Sequence, residues 1–359
     1  MKTQNSKVWQ WFEERLRISE IVRFLSHKTV PRHRYTAWYY FGGVVLFLFG
    51  VQVFTGILLL MYYTPTPEAA YESVRFLVGE VPFGWLIRNT HSWAANLFVL
   101  ACFCHMFSAY FMRAYRKPRE ITWLTGFLLL GLALGFGFSG YLLPWNELAF
   151  FATRVGTSIV STVPLLGGYI GETLKGGEMV TGLTLSRFFG IHVALLPLIA
   201  VLVLLLHLAL IQRQGMSEPI SQQHHSSQEE AIPFFPHFFL REAMVWLGIM
   251  AVLLALSILS PWELGTKADP FASAPAGIKP EWYFTYMSQA LKYLPGRILL
   301  WEGETVGIVG FMLGGLYLLL VPLLDRGAAR GKPNPIFTII GVCIILFMVV
   351  MIILAYTVG

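Results

Sequence analysis

Seven stretches of this chain are apolar, uncharged and long enough to cross a bilayer, and that settles its class before any motif is read. About 20 residues in a row are needed to span ~30 Å of hydrocarbon. The stretches lie within 35–67, 89–112, 121–146, 188–212, 243–262, 305–324 and 333–359. Only 13% of the 359 residues are charged, against about 25% in soluble domains. The expected fold is an all-α membrane protein with seven transmembrane helices.

The first 34 residues carry charges throughout and no apolar core of the kind a signal peptide has. Their Trp9, Phe12, Leu16, Ile18, Ile21, Val22 and Leu25 leave a polar face, which predicts an amphipathic helix lying in the membrane interface. Basic residues set the orientation. With the N-terminus in the cytoplasm, 17 of the 26 Lys and Arg residues fall on the inner side. The positive-inside rule therefore puts the N-terminus inside and the C-terminus outside. The net charge of +6 is a topology signal and gives no reason to expect nucleic acid. Cys102, Cys104 and Cys343 form no C-x-x-C-H motif, which excludes a c-type haem attached that way.

Histidine within a bilayer is costly and needs a partner. The second span carries His91 and His105, fourteen residues apart. The fourth carries His192 and His207, fifteen apart. At about 100° and 1.5 Å per residue, each pair returns to within roughly 40–60° of one face and is separated by ~21–22 Å along its helix. Spans two and four run parallel, so His91 sits level with His192 and His105 with His207. Two levels of paired imidazoles suit two six-coordinate haems in a helix bundle. A proton relay would recruit Asp or Glu, and none of the seven stretches contains one. The three later stretches contain no histidine either.

Gly42 and Gly56 in span one, and Gly126 and Gly140 in span three, repeat the spacing of fourteen. Glycine lets a bulky planar ligand approach the backbone; close helix packing through small residues is the other reading. Arg88 and Arg187 precede His91 and His192 and suit carboxylates such as haem propionates, or simple interfacial anchoring. The stretch 214–240 is polar and reads as a cytoplasmic linker. Its His224 and His225 read as a solvated pair. It divides the chain into an interfacial segment (1–34), a four-helix dihaem domain (35–213), the linker (214–240) and a three-helix domain (241–359). The outer loops 147–187 and 263–304 lie on one face and could build one site together.

At "GWLIRNTHSW", "KPREITWLTG", "SGYLLPWN", "RFFGIHVALLP", "LGTKADPF" and, above all, "PEWYF" at 280–284, the chain resembles the cytochrome b family of quinol-oxidising cytochrome bc and bf complexes. The fifteen-residue spacing and the seven spans are most similar to the chloroplast and Gram-positive branch, with the cytochrome b6 and subunit IV parts fused. That branch usually carries a cysteine two residues before the first Gly-Gly, holding a further c-type haem. Tyr40 stands there, so covalent attachment of that haem is not expected; non-covalent binding is left open.

The resemblance implies two non-covalent b-type haems, with His91, His192, His105 and His207 as axial ligands of the iron. It implies quinol oxidation at the outer face, with Glu281 accepting a proton and Tyr283 assisting, and quinone reduction at the inner face, with Arg213, Arg119 and His33 as candidate residues. One electron would go to a Rieske-type iron–sulfur protein and on to a c-type cytochrome. The other would cross by way of the haems. A homodimeric complex with bound lipid, in a bacterial cell membrane, is also implied. The rival reading is a dihaem membrane anchor of a dehydrogenase, which needs the histidines but has no use for the "PEWY" loop. A non-redox transporter would show inverted repeats, and none is visible.

Overall fold

The computed structural model describes residues 6–220, 231–275 and 277–358. His224 and His225 lie outside the described residues. The described chain is all-helical apart from two antiparallel pairs of two-residue strands, Thr29–Val30 with Ile232–Pro233 and Arg297–Ile298 with Trp301–Glu302. Two short helices come first, α1 (Lys7–Leu16) and α2 (Ile18–Ser26). The bundle follows as α3 (Tyr40–Leu60), α4 (Ala70–Gly79), α5 (Gly84–Phe111), α6 (Glu120–Tyr141), α7 (Glu147–Ser161), α8 (Gly167–Lys175), α9 (Gly182–Gly190) and α10 (Leu196–Gln214). The C-terminal part holds α11 (Phe239–Leu259), α12 (Trp282–Lys292), α13 (Gly303–Leu324), α14 (Arg326–Ala329) and α15 (Pro335–Thr357).

Among the described residues seven helical segments can cross a membrane: Thr36–Leu60, Gly84–Phe111, Glu120–Tyr141, Gly182–Gln214, Phe234–Leu259, Gly303–Ala329 and Pro335–Thr357. Large apolar side chains on their outer faces, such as Phe54, Leu202 and Leu346, are exposed in the isolated chain. In lipid that exposure carries no penalty. The chain is a multi-pass membrane protein.

The structure changes three expectations. The single N-terminal amphipathic helix is two helices, broken at Arg17 (φ 47°, ψ 48°), whose N–H caps the Glu13 carbonyl while the Glu13 carboxylate accepts from Ser19 N–H at 2.9 Å. Second, span five starts earlier than the uncharged stretch. It takes in His237, Arg241 and Glu242, so the expectation that no span holds an acid, and no later span a histidine, is overturned. A count of uncharged residues stops at the first charge, whereas backbone hydrogen bonding does not. Arg241 is exposed and can snorkel. Glu242 is 7% exposed because Gly43, lacking a side chain, makes room for its carboxyl.

The third change concerns the fifteen-residue spacing. His192 sits in a π-helical turn, Ile191–Leu195, between α9 and α10. Such a turn takes up one extra residue. It restores the register that the all-α segment gives between His91 and His105, so both helices present their histidines with the same small offset.

α3 packs on α5, α6 on α10, and α5 on α6, closing the four-helix part. α11 packs on α5 and α3, α13 on α6, and α12 on α15. A buried ion pair ties the two parts of the chain: Arg113 Nε lies 3.0 Å from Asp325 Oδ2, with side chains 5% and 0% exposed. Tyr115 Oη donates to the same carboxylate at 2.8 Å. Arg113 also donates to the Asn334 carbonyl and to Thr338 Oγ1.

Candidate functional site

The paired spacing of the sequence becomes a paired arrangement in space. His91 and His192 lie within electrostatic reach of each other, and so do His105 and His207. Each imidazole faces one of the four glycines. A Cβ on Gly56 would stand 3.4 Å from His91 Cε1, on Gly42 3.3 Å from His105 Cε1, on Gly126 3.1 Å from His207 Cε1, and on Gly140 2.6 Å from His192 Cε1. Gly42 and Gly56 lie on α3, and Gly126 and Gly140 on α6. The glycines of each helix thus serve the histidines of its neighbour, α5 or the α9–α10 span. A Cβ at Gly140 would force the His192 imidazole inward, one at Gly126 or Gly42 would crowd its imidazole, and one at Gly56 would only touch His91.

Hydroxyl groups hold the rings. Thr55 Oγ1 lies 2.8 Å from His91 Nδ1, Thr125 Oγ1 2.9 Å from His207 Nδ1, and Ser139 Oγ 3.1 Å from His192 Nδ1. These contacts leave each Nε2 available. His105 Nδ1 is buried and has no partner among the described residues. A neutral imidazole held at Nδ1, with Nε2 free and a side-chain-free wall behind it, fits an axial ligand of haem iron. The four histidines and four glycines therefore fit two haems. The sequence reading missed the hydroxyls, although each stands one residue before its glycine.

The arginines are placed as follows. Arg88 donates to the carbonyls of Trp262 and, at 3.2 Å, Glu263. Arg187 donates to the Thr173 carbonyl and lies against Gly176. Both are thus engaged with loop backbone at the His91/His192 end. Arg119 donates to the Gln214 carbonyl at 3.0 Å, and its Nε is buried without a partner among the described residues. Arg213 is exposed. His33 and Tyr39 lie close by: the Tyr35 N–H donates to His33 Nδ1, so Nε2 donates to Tyr39 Oη at 2.7 Å, and Tyr39 donates to the Ser217 carbonyl. Burial lowers the pKa of His33, opposed by Glu218. His33, Arg119 and the end of α10 thus gather at the His105/His207 end. Tyr40, at the position where a cysteine would be needed, stacks on Phe238 with centroids 4.7 Å apart.

At the other end the two long loops meet. Glu147 N–H donates to the Thr266 carbonyl, Ala268 N–H to the Trp145 carbonyl, and Asn146 Nδ2 to the Leu264 carbonyl at 2.7 Å. Trp145, Phe150, Phe151, Phe188 and Ala268 share one buried cluster there. Glu281 stands at the N-cap position of α12 without a side-chain capping bond, and the Trp282 indole N–H fixes that start to Asn96 Oδ1 of α5 at 2.8 Å. Tyr283 is 4% exposed, with its hydroxyl against Gly137. Glu281, Tyr283 and Tyr141 are within electrostatic reach of one another. Burial disfavours the carboxylate and raises the pKa of Glu281 to about 7. Burial also raises that of Tyr283, with Glu281 and Tyr141 adding to the effect. Tyr141 was not singled out from the sequence; it lies three residues before the "PWN" that opens the first loop.

Comparison with known proteins gives the family. The family described as cytochrome b/b6/petB matches residues 25–215, and the one described as cytochrome b(C-terminal)/b6/petD matches residues 267–359. The chain is 49% identical over 341 residues to the cytochrome bc complex cytochrome b subunit of Chlorobaculum thiosulfatiphilum, covering 95% of this chain and 78% of that one. It is 41% identical to cytochrome b6 of Gloeobacter violaceus over 60% of this chain and all of that one. A solved structure titled hyperthermophilic respiratory Complex III superposes with a TM-score of 0.85 at 30% identity, covering 98% of this chain and 91% of that one. The chain belongs to the cytochrome b family, with its b6-type and petD-type parts joined in one polypeptide.

Proposed function

We propose that the chain is the cytochrome b subunit of a proton-translocating quinol–cytochrome c oxidoreductase of the bc type. The observation that carries this reading is the set of four buried histidines, paired at two levels, each backed by a glycine. When bound, two b-type haems supply one-electron transfer between the two ends of the bundle. His91 and His192 would hold one, His105 and His207 the other, and Arg88 and Arg187 would offer donors to propionates at the loop end.

Quinol docks at the loop end, between the 147–187 loop and α12. Glu281 accepts a proton from a quinol hydroxyl, because a carboxyl with a pKa near 7 is matched to proton transfer at neutral pH. Tyr283 and Tyr141 shape the pocket beside it. Two electrons leave each quinol, and a Rieske-type iron–sulfur protein with a c-type cytochrome takes the one that does not cross the membrane. Quinone is reduced at the His105/His207 end, where Arg119, Arg213 and His33 are the candidate residues. A dihaem anchor would have no use for the Glu281–Tyr283–Tyr141 group.

The chain divides into the interfacial segment 1–34, the dihaem domain 35–213, the linker 214–240 and the domain 241–359. Its basic residues put the N-terminus in the cytoplasm of a bacterial cell and the C-terminus outside. A homodimeric complex with bound lipid completes the proposal. The direct test is Glu281→Gln in the purified complex. Full haem spectra with quinol oxidation reduced at least tenfold support the assignment; unchanged oxidation overturns it.

A further inference from the structure

Three of the four paired imidazoles end on a hydroxyl whose hydrogen is already engaged. Thr55 donates to the Val51 carbonyl at 2.7 Å, Thr125 to the carbonyls of Ile121 at 3.0 Å and Thr122 at 2.9 Å, and Ser139 to the Gly135 carbonyl at 2.7 Å. A hydroxyl has one hydrogen, so toward the imidazole it can only accept. His91, His207 and His192 are therefore Nδ1–H donors. The residue before the fourth glycine is Phe41, which has nothing to offer, and His105 Nδ1 is buried with no partner among the described residues.

We infer that Thr55, Ser139 and Thr125 are positioning residues that set the donor strength of the ligand imidazoles, and that Phe41 leaves His105 the weakest donor of the four. The inference rests on the haem reading proposed above. An imidazole that gives up its Nδ1–H to an acceptor is more basic at Nε2. A more basic axial ligand favours the ferric state and lowers the potential, since hydrogen bonding around the ligands is one of the levers a protein has on haem. The His91/His192 site has two such ligands and the His105/His207 site has one. The site at the loop end is therefore the harder to reduce, and an electron delivered there runs downhill toward the opposite end. The Glu242 carboxyl lies against Gly43, beside Gly42, and is the other ionisable group to control for. A Glu242→Gln background separates that contribution.

The test is a potentiometric titration of the purified complex, followed in the visible spectrum and by EPR of the ferric haems. Thr55→Val keeps the shape and removes the acceptor. It is expected to raise the midpoint of the lower-potential component by about one decade in the reduced-to-oxidised ratio, ~59 mV for a one-electron couple. The other component should stay put, and Thr55→Ser should restore the original value. Phe41→Ser supplies the missing acceptor and is expected to lower the higher midpoint and narrow the gap. Both midpoints unmoved in both variants, with both haems present, would overturn the inference. If Thr55→Val loses its haem, the sign of the Phe41→Ser shift decides the matter. Absence of b-type haem from the wild-type complex would sink the underlying haem reading instead.

Discussion

Replacing Gly140 by alanine puts a methyl carbon 2.6 Å from His192 Cε1. Carbon atoms settle at about 3.5–4.0 Å, so the imidazole has to retreat by roughly 1 Å. Ligand constellations tolerate about 0.5 Å. The same substitution at Gly56 meets His91 Cε1 at 3.4 Å, an ordinary contact, while Gly42 and Gly126 are intermediate at 3.3 and 3.1 Å. Within a helix, exchanging glycine for alanine is favourable by about 0.8–1.0 kcal/mol, and overpacking costs about 1–3 kcal/mol. The balance therefore has opposite signs at the two ends of the series. Gly56→Ala should be neutral or slightly stabilising. Gly140→Ala should destabilise by up to about 2 kcal/mol and lower the occupancy of the haem held by His91 and His192. The assay is haem content per protein together with thermal unfolding of the purified complex. Full haem content and an unchanged Tm for Gly140→Ala would refute the reasoning, as would a larger loss for Gly56→Ala.

Three other outcomes follow from the same geometry. Asp325→Ala leaves Arg113 as an uncompensated buried charge between the two parts of the chain; a loss of about 3–5 kcal/mol is expected, read as a fall in Tm, and a change too small to measure would mean that the pair does not clamp the halves. Burial holds the pKa of Glu281 near 7, so the proton-accepting carboxylate is scarce below that pH and abundant above it. Quinol oxidation should rise as pH increases through about 7, and Glu281→Gln should flatten the profile; an unchanged profile in that variant would assign the titration to another group. Gly43→Ala drives a methyl group into the Glu242 carboxyl and should lower stability by about 1–3 kcal/mol, with Glu242→Ala in the same chain restoring it; absence of rescue would show that the clash lies elsewhere.

Seven spans, two levels of histidines and the matching glycines were legible in the sequence, because each is a periodicity along a single helix. What escaped depends on how neighbouring helices meet. Thr55, Thr125 and Ser139 look like ordinary helical hydroxyls until the facing imidazole is seen, although their place one residue before each glycine is a readable signal. The π turn at Ile191–Leu195 could be inferred only by noticing that fifteen residues do the work of fourteen. Glu242 was lost because counting uncharged residues ends a span at a charge, whereas the glycine that accommodates it lies on α3, some two hundred residues earlier. Arg88 and Arg187 are read from their place just before His91 and His192, but their bonds to the Trp262, Glu263 and Thr173 carbonyls come from loops whose course no periodicity encodes. The Arg113–Asp325 pair likewise joins residues from different parts of the chain.

The central claim is that the four histidines hold two separate haems. The most direct measurement is a redox titration of the purified complex, with a pyridine haemochrome assay on the wild type and on His91→Ala and His207→Ala variants. Two b-type components of different midpoint are expected, the lower lost in His91→Ala and the higher in His207→Ala. A single component, or two components that survive both substitutions, would contradict the account.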